Sequence, residues 1–333
     1  MNEVPVNEVQ ATASSTSPSP SPSPTEGGSR PDGAGIGTPD QVVEALARHG
    51  YLADEGLATA VFLAVTLQRP LFLEGEPGTG KTEVAKVLSR WTGGELIRLQ
   101  CYEGIDVTQA VYEWDFARQL LHLRAAELRA DSNLESAEDE LFTERFLVRR
   151  PLLRAIDGPG GGAPPPVLLI DEIDRADDEF EAFLLEVLSD FTVTIPELGT
   201  VRATVKPIVI LTSNRTRDVH DALKRRSIYH WLAHPDFERE VAIVAMRAPE
   251  VGERLAHQVA AAVQAMREMD LYKPPGVAET IDWARAIAAL GQHDLDERTA
   301  THTLGMVLKY QEDERLVVGS GIAGLVEAAR ARG

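Results

Sequence analysis

Short apolar runs alternate with segments of helical periodicity through the middle of the chain. The apolar runs are PLFLE (Pro70 to Glu74), ELIRLQ (Glu95 to Gln100), VLLID (Val167 to Asp171) and PIVILTSN (Pro207 to Asn214). Runs of this length predict buried strands, and their alternation with helices predicts a parallel sheet with helices on both faces. The predicted fold class is therefore α/β.

Helical periodicity also flanks the predicted sheet. One helix is predicted to begin at TPDQ, with Thr38 as its cap, and a second extends from about Glu55 to Leu67. From about His234 onward strand patterns stop, while helical patterns such as TIDWARAIAALG continue. The pattern predicts an α/β domain over residues 38–233 and a smaller all-helical domain over residues 234–333.

Three segments do not fit this regular alternation. Residues 1–37 are rich in Ser, Pro, Thr and Gly, and they predict a disordered tail because they offer little apolar surface to bury. Two further segments are predicted to be surface loops, namely the acidic ADSNLESAEDE (130–140) and GPGGGAPPP (158–166). FTVTIPELGTVRATVKP (191–207) alternates as a hairpin does, with an ordinary hairpin on the sheet edge as one interpretation.

Composition and charge narrow the function classes. The 52 acidic residues against 33 basic residues give a net charge of −19, which disfavours non-specific nucleic-acid binding. The single cysteine, Cys101, excludes an intramolecular disulfide and a CxxC metal site, and it has no adjacent cation, so a packed thiol is expected. No apolar run resembles a signal peptide or reaches the ~18 residues of a membrane span, so a cytoplasmic protein without membrane insertion is expected.

The stretch GEPGTGKT matches the phosphate-loop pattern G-x-x-x-x-G-K-[ST], and it lies between a predicted strand and a predicted helix. In such a loop backbone N–H groups surround the phosphates, the lysine neutralises their charge and the hydroxyl binds Mg²⁺. The pattern predicts a nucleotide site, with Mg²⁺ on Thr82, made by Gly75, Glu76, Pro77, Gly78, Thr79, Gly80, Lys81 and Thr82.

Carboxylates and an amide end two of the predicted strands. Asp171 is predicted to hold Mg²⁺, and Glu172 to orient the attacking water, although acidic residues also suit a helix start. Asn214 can position the same water, or it is an ordinary turn residue. Within KRR (224–226), an arginine can reach a neighbouring subunit's phosphate, or the cluster is a solvated surface.

In this order the motifs resemble those of the AAA+ ATPases: GEPGTGKT as Walker A, LLIDEID as Walker B, LTSN as the sensor-1 strand and LKRR as the arginine-finger region. The resemblance implies a helical lid and hexameric rings with ATP bound between subunits. It also implies a finger at Arg225 or Arg226, with Arg225 favoured, and a lid arginine at Arg285 in DWARA.

A narrower resemblance, to the MoxR group and its CoxD-like branch, lies in CYEGIDVTQAVYEWDFARQLLHLR, DALKRRSIYHWLAHPD and AETIDWARA. It implies a remodelling chaperone that matures a molybdenum-containing metalloenzyme together with a von Willebrand factor A domain protein. It also implies that residues 191–207 form a hairpin facing the ring pore. The acidic residues 135–140 can supply carboxylates to such a partner, or they form a solvated loop.

Two other functions remain possible from the sequence. A nucleotide-gated scaffold would bind ATP with little turnover, which the presence of Glu172 argues against. A DNA-directed AAA+ motor would need a basic pore or an added DNA-binding domain, and the chain offers neither clearly.

The histidines at 220, 230 and 234 lack the HExxH spacing, so the only metal expected is Mg²⁺.

Overall fold

The computed structural model describes Met1 and residues 37–127, 140–158, 160 and 162–332. The predicted tail over residues 1–37 and the acidic segment 130–140 therefore lie outside the described residues, apart from Met1, Gly37 and Glu140. The described positions of residues 158–166 contain no helix or strand, as predicted.

Both strands and helices occur from residue 39 to residue 231. In chain order they are α1 (Pro39–Arg48), α2 (Glu55–Leu67), β1 (Leu71–Glu74), α3 (Lys81–Thr92), β2 (Leu96–Gln100), α4 (Val107–Ala110), β3 (Tyr112–Trp114), α5 (Phe116–Glu127), β4 (Leu147–Arg149), α6 (Pro151–Ile156), β5 (Val167–Asp171), α7 (Asp178–Asp190), β6 (Thr192–Ile195), β7 (Gly199–Arg202), β8 (Ile208–Ser213), α8 (Asp221–Arg226) and β9 (Ile228–Trp231).

Five of these strands form one parallel sheet in the order β2-β5-β8-β1-β9. Along each strand alternate side chains enter opposite cores. Phe72, Ile170 and Leu211 pack on one face with residues of α6 and α7, whereas Leu71 and Leu169 pack on the other with residues of α1 to α3. The prediction of a parallel sheet covered by helices on both faces is confirmed.

The four predicted strands are present, but β9 at the sheet edge was not predicted. Its sequence IYHW is short and only partly buried, so it lacks the apolar run of a central strand. Residues 192–202 form the antiparallel hairpin β6–β7, as predicted. This hairpin is a separate two-stranded sheet, so the interpretation as a hairpin on the edge of the main sheet is wrong. The strands β3 and β4 form a second small antiparallel pair.

Helices alone follow β9. They are α9 (Phe237–Arg247), α10 (Glu253–Arg267), α11 (Val277–Ala289), α12 (Glu297–Val307) and α13 (Gln311–Arg332), the last interrupted at Gly321. Their apolar faces meet in a core around the fully buried Trp283, whose indole N–H donates to Thr303 Oγ1 at 2.7 Å. The change from strands to helices lies where the sequence predicts it, and the division into two domains there stays a prediction.

A buried ion pair fixes three of these helices to one another. The carboxylate of Glu240 on α9 accepts two N–H groups of Arg267 on α10, at 2.6 and 2.7 Å. It also accepts the hydroxyl of Thr280 on α11 at 2.7 Å. Because Glu240 is fully buried, these three donors supply the partners that an ionised carboxylate needs there.

The helical part touches the Gly-rich loop through two glycines. The Val277 N–H at the start of α11 donates to the Gly78 carbonyl at 3.0 Å. A Cβ at Gly276 would lie 2.6 Å from Gly78 Cα, so only glycine allows this approach. The first turn of α11 is therefore held directly against the loop. None of the helices in the described part of the chain is long and apolar enough to cross a membrane.

Candidate functional site

The Gly-rich loop joins β1 to α3 and is shaped by three glycines. Gly78 and Gly80 have positive φ angles of 81° and 94°, which L-residues with side chains rarely adopt. A Cβ at Gly75 would lie 2.2 Å from the carbonyl oxygen of Leu232, so this glycine is also required for packing. The loop therefore presents its backbone at the N-terminus of α3, where N–H groups and the helix dipole favour an anion.

Lys81 is the first residue of α3 and lies almost entirely within the loop. Its Nζ donates to the carbonyls of Gly75 and Glu76, each at 2.7 Å. Burial lowers the pKa of Lys81 to about 8, and nearby carboxylates, Asp174 and Asp171 foremost, oppose that shift. The ammonium group is therefore held where a bound phosphate would lie, and its charge is lost at mildly alkaline pH.

The two residues predicted to hold Mg²⁺ are in contact. Thr82 Oγ1 donates to Asp171 Oδ1 at 3.1 Å, and Thr212 Oγ1 on β8 donates to the same oxygen at 2.5 Å. Asp171 ends β5, an interior strand of the sheet, and is only 3% exposed. A hydroxyl beside a carboxylate, next to a phosphate-binding loop, is the oxygen donor set that Mg²⁺ takes with a nucleotide. The residues present therefore fit this ion.

Glu172 adopts an uncommon backbone conformation directly after β5. Its φ of 56° and ψ of 53° lie in the left-handed region, and its N–H donates to Thr212 Oγ1 at 2.9 Å. The Oε2 atom accepts from Gln100 Nε2 at 3.1 Å and pairs with Arg175 Nε at 2.9 Å. The carboxylate is thus aimed and restrained, as a group that orients water must be.

A cavity of about 400 Å³ lies between the sheet and the helical part. Asp171, Glu172 and Asn214 line it at the sheet edge, beside the loop from Pro77 to Thr82. The opposite side is more apolar and is formed by Tyr51, Leu52, Ile243, Met246, Val277, Ala278 and Ile281. A volume in the range of small-molecule sites, with a phosphate loop at one end and apolar side chains at the other, suits a nucleotide.

The structure places the three predicted arginines outside this cavity. Arg225 is exposed and its side chain has no partner among the described residues, whereas Arg226 donates to Ser189 and to the Leu185 carbonyl on α7. Arg285 pairs with Glu250 at 3.0 Å. The lid-arginine role of Arg285 and the finger role of Arg225 or Arg226 stay predictions.

Two arginines that the sequence did not single out do line the cavity. Arg239 pairs with Asp54 at 2.9 Å, and Arg247 pairs with Glu83 at 3.4 Å. The sequence does contain a pattern that joins these two arginines. Positions 239, 243 and 247 are four residues apart, so they share one face of α9. Without knowledge of which face of α9 meets the loop, the spacing could not be assigned to the site.

A third missed residue, Arg98 on β2, donates from Nε and Nη2 to Asp171 Oδ2 at 3.0 and 2.6 Å. The feature that could have indicated Arg98 is a charged residue between two buried residues, in a strand that pairs with the Walker B strand β5. Cys101 next to this strand is 1% exposed, and burial raises its pKa to about 12, which confirms the packed thiol. Among the described residues, no group of three or more His, Cys, Asp or Glu side chains could hold a further metal ion.

Comparison with known proteins agrees with this geometry. Residues 70–227 match the sequence profile of the AAA domain (dynein-related subfamily). They therefore form an AAA domain, and the nucleotide-binding class predicted from the motifs is confirmed. The finer resemblance to the MoxR group stays a prediction. A comparison with curated proteins finds no match.

Among solved structures, the chain is similar to the Thermotoga maritima RuvB Holliday junction branch migration motor. The identity is 14%, the alignment covers 75% of this chain and 66% of that chain, and the TM-score is 0.41. A point mutant of the same RuvB is 14% identical, with 83% of this chain and 72% of that chain covered and a TM-score of 0.46.

The lowered pKa of Lys81 predicts that nucleotide affinity depends on pH. Only the protonated amine attracts phosphate, and this form is lost as the pH rises through about 8. The apparent dissociation constant for a fluorescent ATP analogue should therefore be about tenfold higher at pH 9 than at pH 7. In Lys81→Arg the positive charge persists at both pH values, so the dissociation constant should be the same at pH 7 and pH 9. Equal affinity of the parent protein at both values would contradict this account of Lys81.

Proposed function

We propose that the chain is a Mg²⁺-dependent ATPase of the AAA+ type that uses ATP hydrolysis to remodel a protein client. One observation carries the proposal: Lys81, Thr82, Asp171 and Glu172 meet at one end of a single cavity of suitable volume. Phosphate binding, metal binding and water activation need separate groups, and each of these side chains supplies one of them.

Each residue has a distinct task in this proposal. The loop N–H groups and Lys81 bind the β- and γ-phosphates, and the apolar side beside Tyr51 receives the base. Mg²⁺, when bound, would take oxygens from Thr82 and Asp171 and neutralise charge on the phosphates. Glu172 orients the attacking water and accepts its proton, with Asn214, directly after the neighbouring strand β8, as a second group that orients it.

Two substitutions separate binding from turnover. Lys81→Ala should weaken ATP binding by at least about tenfold, since a charge-assisted contact to phosphate is lost. Glu172→Gln should retain binding but lower the rate of phosphate release about 100-fold or more, because an amide cannot take the proton. Binding is followed with a fluorescent analogue and turnover by phosphate release. Glu172→Gln protein that hydrolyses ATP at the parent rate would remove Glu172 as the base.

We infer further that the active form is a homo-oligomer, most simply a hexameric ring, in which Arg225 reaches the site of a neighbour. The exposed, unpaired side chain of Arg225 supports this, whereas Arg226 is held against α7. An arginine outside its own cavity can act only in trans, and such fingers raise hydrolysis by about 10³-fold or more.

Mixing two inactive variants tests this arrangement. Lys81→Ala protein lacks a working site but retains its arginine, while Arg225→Ala/Arg226→Ala protein has the reverse defect. A mixture should regain part of the parent activity, because each subunit supplies what its neighbour lacks. The control mixture pairs Arg225→Ala/Arg226→Ala with Lys81→Ala/Arg225→Ala/Arg226→Ala, which should stay inactive because no subunit supplies the arginine. Absence of recovery, with a parent activity independent of protein concentration, would argue for a site complete within one chain.

The client part of the proposal rests on the sequence resemblance to the CoxD-like branch. We propose that the ring, with a von Willebrand factor A domain protein, reshapes a molybdenum-containing metalloenzyme so that its metal centre can be completed. Glu140 is exposed at the end of the acidic segment. It is a candidate contact for such a partner, because the metal-dependent adhesion site of a von Willebrand factor A domain binds carboxylates.

Deletion of the gene in its host tests the client. The molybdenum enzyme should then be present and folded but deficient in metal and activity, since the chaperone supplies mechanical work rather than chemistry. Metal content is measured on the purified enzyme, and complementation with Glu172→Gln should fail to restore it. Normal metal content in the deletion strain would exclude the maturation role and leave an ATPase with another client.

A further inference from the structure

The buried carboxylate of Asp171 is already paired with a cation of its own chain. Its Oδ1 accepts the hydroxyls of Thr82 and Thr212, and its Oδ2 accepts two N–H groups of Arg98. The Asp171 side chain is 4% exposed, so its charge cannot be balanced by water and needs this partner. Arg98 thus occupies one oxygen of the carboxylate that is proposed to hold Mg²⁺.

The strand β2 explains how Arg98 reaches this position. Ile97 and Leu99 are buried in the core, so Arg98 between them faces the other way. Arg98 lies opposite Leu169 in the register of β2 and β5, one pleat before Asp171. Its side chain is 54% exposed, because β2 is at the sheet edge. Because about half of the Arg98 side chain faces solvent, its guanidinium group can leave the Asp171 carboxylate and extend into water.

The same arginine is joined to Glu172. Arg98 Nη2 donates to Gln100 Oε1, and the amide nitrogen of Gln100 donates to Glu172 Oε2 at 3.1 Å. A continuous line of polar contacts therefore runs from Asp171 through Arg98 and Gln100 to Glu172. Arg98 is thus linked through Gln100 to one of the two side chains that restrain the Glu172 carboxylate, the other being Arg175.

We propose that Arg98 is a positioning residue that competes with the divalent cation for Asp171. Arg98 and the divalent cation are both positively charged. The single negative charge of the Asp171 carboxylate is therefore attracted less strongly to each of them when both are present. Arg98 therefore keeps the site formed without metal and lowers the gain in nucleotide affinity that Mg²⁺ brings. This inference rests on the proposed Mg·ATP site and adds a residue that sets its dependence on the metal.

The test measures nucleotide binding alone. The dissociation constant of a fluorescent ATP analogue is determined in saturating Mg²⁺ and in EDTA, and their ratio gives the coupling between metal and nucleotide. In Arg98→Gln this coupling should rise about fivefold, the size expected for removing a partly exposed ion pair. Arg154→Gln is the matched control, because Arg154 is 47% exposed and pairs with Glu95 away from the site; its coupling should equal the parent's.

The outcomes separate this inference from the proposed function. A purely structural role of Arg98 would change both dissociation constants by the same factor, so an unchanged or lower coupling in Arg98→Gln would overturn the inference. Arg98→Lys keeps the charge and should stay close to the parent, which gives a second test should Arg98→Gln fold poorly. A parent protein whose nucleotide binding does not respond to Mg²⁺ would overturn the metal site itself, and the inference with it.

Discussion

The site is organised by the need to compensate one buried negative charge. Asp171 ends β5, an interior strand of the sheet, where almost no solvent reaches its carboxylate. An ionised carboxylate at such a position must be paired and hydrogen-bonded. Its partners come from three different elements, with Thr82 on α3, Arg98 on β2 and Thr212 on β8. The same network therefore aligns the Gly-rich loop, the two neighbouring strands and, through the N–H that Thr212 accepts, the backbone of Glu172.

A second constraint joins this network to the helical part. Gly78 in the loop and Gly276 before α11 approach so closely that neither position accepts a side chain. The hydrogen bond from Val277 to Gly78 then fixes the start of α11 against the loop. The sheet edge provides the charged side of the cavity, and the helical part provides most of its apolar side. A change in the position of α11 relative to the loop would therefore change the shape of the cavity.

Features that depend on neighbours in sequence were predictable, and features that depend on packing were not. The loop from Gly75 to Thr82 and the acidic end of β5 are local patterns, and the structure brings them together as expected. The edge strand β9 was missed because pairing with β1, rather than its own composition, makes it a strand. Arg98, Arg239 and Arg247 were missed for a related reason. An arginine becomes part of a site only through the element packed beside it, and one sequence does not contain that information.

The central claim is that the cavity binds Mg·ATP with Thr82 and Asp171 at the metal. A crystal structure with a non-hydrolysable ATP analogue and Mn²⁺ in place of Mg²⁺ tests it most directly, because the anomalous signal locates the metal independently of the nucleotide. The account predicts phosphates against the backbone from Gly78 to Thr82, the base beside Tyr51, and one metal peak adjoining Thr82 and Asp171. An analogue bound elsewhere, or a metal peak remote from both residues, would contradict it.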